Sequence, residues 1–115
     1  MPSKIVDKTY EILKDAAGRG RVLTYGELYD SIGVDMKSPS DRKRGSEILT
    51  EVNEISVLEN DIMITAIVVK SDTQVPGAEF FRQATTYGSL GEESSDEERK
   101  IFWEEELKKV YETYQ

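Results

Sequence analysis

The sequence contains no cysteine and no histidine. The first absence excludes disulfides, thiolate metal sites and cysteine nucleophiles. The second removes Ser-His-Asp triads, histidine-bearing zinc sites and the usual general base near neutral pH. No cofactor and no transition metal is expected from what remains. Long apolar runs are missing too: the longest, Ile62 to Val69, is interrupted by Thr65 and falls far short of the roughly 20 residues a membrane span requires. The opening residues, MPSKIVDKTYE, contain no apolar leader. Together these absences point to a cytoplasmic chain with no membrane partner.

Positive charge is scarce and unevenly placed. Fifteen Lys and Arg face 23 Asp and Glu, a formal charge of −8. Residues 1–50 hold nine cations against eight carboxylates, and residues 51–115 hold six against fifteen. An acidic surface of that kind repels nucleic acid and anionic lipid, so any nucleic-acid contact is expected in the first half. The chain has 115 residues, 37% of them apolar and 33% charged. That length suits one domain across residues 1–115, because a second stable core needs roughly 50 residues more.

Periodicity and caps outline five helices and one strand. Ile5, Thr9, Ile12, Leu13 and Ala16 form a helical stripe, with Ser3 as N-cap and Gly18 or Gly20 as the stop. Arg21 to Leu23 reads as a short extended piece. Thr24 and Glu27 then form a capping box, opening a second helix that uses Leu28 and Ile32 and closes at Gly33. After a polar connector, Ser38, Pro39 and Asp41 start a third helix. Ile48, Leu49, Val52 and Ile55 are its buried stripe, and Asn60-Asp61 ends it. The β-branched run Ile62 to Lys70 predicts a strand buried on both faces. A turn at SDTQVPG precedes a short helix carrying Phe80, Phe81 and Ala84 inward and stopping at Gly88. Past an acidic loop, Ser95 and Glu98 form another capping box, and Phe102, Trp103, Leu107, Val110, Tyr111 and Tyr114 mark the docking face of the last helix. Trp103 is expected in the core.

Helix, short strand, helix, helix and then a strand pair is the order of a winged helix, in which the third helix enters the major groove. Arg42, Lys43 and Arg44 fall in its first two turns, with Ser46 one turn on. They are the candidate nucleic-acid-binding residues, although adjacent residues point about 100° apart and a solvated polar face is the commoner role of such a run. GRVLTYGEL (Gly20 to Leu28), RKRGSEIL (Arg42 to Leu49) and ITAIVV (Ile64 to Val69) together resemble the winged-helix domain of DNA alkyltransferases and alkyltransferase-like proteins. That family carries G-x-V-x-T-Y-G-E into its second helix and R-A-V-G at the recognition helix. The resemblance implies a DNA-binding scaffold, with Arg42 or Arg44, ahead of Gly45, in place of the arginine that enters the base stack. The family's reactive Pro-Cys-His-Arg is replaced by Ile64-Thr65-Ala66-Ile67, so alkyl transfer to cysteine is excluded.

The other half is similar to a small bacterial domain found in genomes and mobile elements, with P-G-x-G-F-F followed by F-W-x-x-E-L-x-x-V-Y. Glu54-Ile55, MITAIVV (Met63 to Val69), VPGAEFF (Val75 to Phe81) and FWEEELKKVYETY (Phe102 to Tyr114) carry that resemblance, which implies no activity; Glu79 stands where the pattern has glycine. Glu54, Glu79 and Glu106 lie within or beside these motifs. Glu54 and Glu79 are the candidate acidic site, since carboxylates alone can hold Mg²⁺ or Ca²⁺, but no pair has a diagnostic spacing. The glycine-bearing loops match no phosphate-binding fingerprint and read as turns.

The expectation is a winged-helix-like α+β domain: a three-helix N-terminal unit, a small sheet around residues 62–70 and C-terminal helices. The leading function is a non-enzymatic binding module for DNA or a protein. The alternatives are a small carboxylate-dependent enzyme and an acidic phage or mobile-element protein that occupies a DNA-binding partner. A basic patch confined to the third helix favours DNA, and a continuous carboxylate surface favours mimicry.

Overall fold

The computed structural model describes residues 4–115. Five α-helices, α1 (Lys4–Gly18), α2 (Tyr25–Ile32), α3 (Pro39–Asn60), α4 (Ala78–Thr86) and α5 (Asp96–Tyr114), surround a buried central segment. Two short strands, β1 (Leu23–Thr24) and β2 (Val68–Val69), pair in parallel with Leu23 opposite Val68 and Thr24 opposite Val69. The protein is thus mostly helical, with a minimal sheet. Among the described residues no helix is long and apolar enough to cross a membrane.

The helix ends follow local chemistry. Thr24 caps α2: its Oγ1 accepts the Glu27 N–H at 3.1 Å, and the Glu27 carboxylate accepts the Thr24 N–H at 3.0 Å. At the other end Gly33 adopts φ 74°, a left-handed conformation that costs glycine little. Ser38 caps α3 with Pro39 in its first turn, and the Ser95–Glu98 box opens α5. The Ser3 cap expected for α1 lies outside the described residues.

The expected strand over Ile62 to Lys70 is not formed. Ile64–Ile67 make a 3₁₀ helix, and only Val68 and Val69 pair as strand. The reason is tertiary. All of residues 62–69 are buried, and their backbone groups find side-chain partners before a sheet can offer any. Ser56 Oγ donates to the Ile62 carbonyl at 2.7 Å, Glu106 Oε2 accepts the Met63 N–H at 2.7 Å, and Asn53 Oδ1 accepts the Thr65 N–H at 3.2 Å. With the two strands parallel, the described residues contain no antiparallel hairpin to serve as a wing, so the winged-helix expectation reduces to its helical part.

All five helices contribute to one core, with Leu13, Leu28, Val52, Ile64, Ile67 and Val110 fully enclosed. Trp103 is half-buried, packed against this core instead of inside it, and its Nε1–H donates to the Ala66 carbonyl at 2.8 Å. Phe80 is buried and holds Phe81 in an edge-on contact at 5.2 Å and Phe102 at 6.0 Å. The aromatic set is therefore the seam between α4 and α5.

Candidate functional site

The start of α3 is fixed by its packing on α2. Gly45 is buried against Tyr29, so closely that a Cβ there would lie 2.8 Å from the ring. Only glycine allows this approach without moving Tyr29. The contact turns Gly45 inward and leaves Arg42, Lys43 and Arg44 exposed on the first two turns. None of the three is in an ion pair among the described residues, whereas Lys14, Arg19, Arg82 and Lys109 are each beside a carboxylate.

Charge reverses along the same helix. Lys43 borders an open groove of about 630 Å³ that continues past Glu47, Glu51 and Glu54 to Glu79 and Arg82 on α4. The basic patch is thus confined to the N-terminal turns. The two acidic candidates do share this groove. Glu54 is exposed, and the Glu79 carboxylate is engaged by Arg82 through both Nε and Nη2. Glu106 lies elsewhere, buried on α5 as the acceptor for Met63, with Lys109 at 3.7 Å. Among the described residues no three carboxylates converge as a metal cage.

Ser46 is half-buried and lines both that groove and a smaller, more enclosed cleft of about 180 Å³. Tyr25, Tyr29, Thr65, Gly77 and Gln83 also line the cleft. Thr65 belongs to the buried 3₁₀ turn and lines the cleft together with the two tyrosines. Tyr25 Oη accepts the Gly77 N–H at 2.9 Å. Burial raises the pKa of both phenols, that of Tyr29 to about 12, so both are neutral near pH 7. Behind them a relay runs from Asn53 Nδ2 to Gln83 Oε1 (2.7 Å), Gln83 Nε2 to Thr50 Oγ1 (2.8 Å) and Thr50 Oγ1 to the Ser46 carbonyl (3.0 Å). This network fixes the α3–α4 spacing, and the Glu79 carboxylate, engaged by Arg82, lines the same cleft beside the Thr65 and Ser46 side chains.

Sequence reasoning located the cations and missed Tyr25, Tyr29, Asn53 and Gln83. One usable signal was Asn53, a polar residue one position from Val52 on an otherwise apolar stripe. Comparison with known proteins finds no matching family model, no matching curated protein and no matching solved structure.

Proposed function

We propose that this protein is a non-catalytic DNA-binding module that meets duplex phosphates with the first two turns of α3. The observation that carries this reading is the run of three consecutive exposed cations, Arg42, Lys43 and Arg44, in a chain whose net charge is −8. Most cations of the chain stand outside ion pairs among the described residues, and these three differ in being consecutive, which concentrates their charge at one helix end. Their position at a helix N-terminus adds the favourable end of the helix dipole. The α2–α3 order and the Thr24-Tyr25-Gly26-Glu27 and Arg42-Lys43-Arg44-Gly45 runs support the likeness to alkyltransferase-like domains, with α3 as recognition helix and no wing. Glu47, Glu51 and Glu54 then limit the contact to the upper part of α3, because phosphates further along would meet carboxylates.

Replacing Arg42, Lys43 and Arg44 together by alanine tests the proposal. At low salt the wild type should shift a labelled duplex in polarisation titrations, and the triple variant should bind at least tenfold more weakly, with unchanged far-UV circular dichroism. Equal binding by the two proteins, or none by either, removes DNA and leaves a protein partner as the reading to pursue.

A further inference from the structure

A second cleft, of about 420 Å³, lies between the turn over residues 70–78 and the beginning of α5. Its walls combine Lys70, Arg99 and Lys100 with Phe81, Trp103 and Pro76, and Asp96 is its one carboxylate. In the acidic half of the molecule, where fifteen carboxylates face six cations, half of those cations converge here. Arg99 Nε is buried and has no hydrogen-bond acceptor among the described residues, while its guanidinium sits over Phe81 at 5.8 Å from the ring centre. The Arg99 side chain is thus held in place against Phe81, and three cations against one carboxylate in the cleft lining suit an anionic ligand. Trp103, half-buried with its N–H already given to Ala66, leaves an apolar ring for stacking.

We propose that this cleft binds a nucleoside phosphate, with the phosphate on Arg99, Lys70 and Lys100 and the base against Phe81 and Trp103. Cations beside aromatic rings suit a phosphate joined to a planar base, and the volume lies within the roughly 300–1,000 Å³ of small-ligand sites. A free nucleotide and one residue of a single strand present this same chemistry. The inference does not depend on the role assigned to α3.

Trp103 is the only tryptophan, so its fluorescence reports on this cleft directly. The full chain is titrated with adenosine monophosphate, inorganic phosphate, adenosine and a short thymidine oligonucleotide, alongside Arg99→Gln, Lys70→Ala and the remote charge control Lys8→Ala. The expected result is a saturable change with the nucleotide or the oligonucleotide, weakened about tenfold or more by Arg99→Gln and by Lys70→Ala and unaltered by Lys8→Ala. The tighter of the two ligands identifies the source. Inorganic phosphate binding as tightly as the nucleotide overturns the proposal, as does a response that both cleft variants retain or no response to any ligand. Circular dichroism confirms that the variants are folded, and Lys70, being exposed, provides the test should Arg99→Gln unfold.

Discussion

At the scale of single residues, the molecule depends on a few side chains that satisfy the backbone of an irregular buried segment. Glu106 is 6% exposed and serves the Met63 N–H. Glu106→Ala leaves that donor buried without an acceptor and should cost about 1–3 kcal/mol, while Glu106→Gln keeps an acceptor and should cost less. Equal losses in urea denaturation would remove the hydrogen bond from the explanation. Gly45 is the complementary case, where an added group has no room. Gly45→Leu must drive a side chain into the Tyr29 ring and should cost about 1–3 kcal/mol or more as overpacking, read as a lowered thermal midpoint; an unchanged midpoint would show that α2 and α3 are not closely fitted there. Neither role was legible in the sequence. Glu106 reads as one of many helix carboxylates, and Gly45 reads as a family motif without its packing reason.

At the scale of elements, what is encoded locally was legible and what is imposed from a distance was not. The caps at Thr24, Ser38 and Ser95 involve residues three apart in sequence, so spacing alone places the helix starts. Ser95→Ala should lower stability by about 1 kcal/mol. The carboxylates of Glu27 and Glu98 are held below their usual pKa of 4.5, chiefly by the backbone N–H each accepts. Their contribution is therefore complete above about pH 4.5 and fades as pH falls through the lowered value; the protection of the Thr24 and Ser95 amides relative to their intrinsic exchange rates should fall over that window, and protection that stays constant would contradict it. The segment over residues 62–69 was misread because β-branched composition records burial as much as strand. Its conformation is settled by Asn53, Ser56 and Glu106, on two helices 6 to 43 positions away. The same distance problem hid the cleft at Arg99, whose walls come from two segments separated by the acidic loop.

At the scale of the whole molecule, stability towards base follows from the phenols. Tyr10 is raised well above its ordinary pKa, first by burial and then by hydrogen bonds with Tyr114 and Glu59, and burial takes Tyr29 from 10.0 to about 12. Both are neutral when folded at a pH where the unfolded chain would ionise them. Their stabilising effect is thus full below pH 10 and is lost as pH rises through the folded values. Ultraviolet titration should show tyrosines ionising near pH 10 and a later group that ionises only with unfolding; a single transition at pH 10 would contradict the packing of Tyr10 and Tyr29. The charge map has the same global character: an acidic body, a cationic tip at the start of α3 and a cationic cleft at the start of α5. Of these, the α3 tip carries the proposed function, and the salt dependence of duplex binding tests it most directly. Each phosphate neutralised contributes about −0.9 to the slope of log affinity against log salt. The wild type should show a slope that the Arg42, Lys43 and Arg44 alanine variant flattens by up to about three such contributions, and identical slopes for the two proteins would contradict the account.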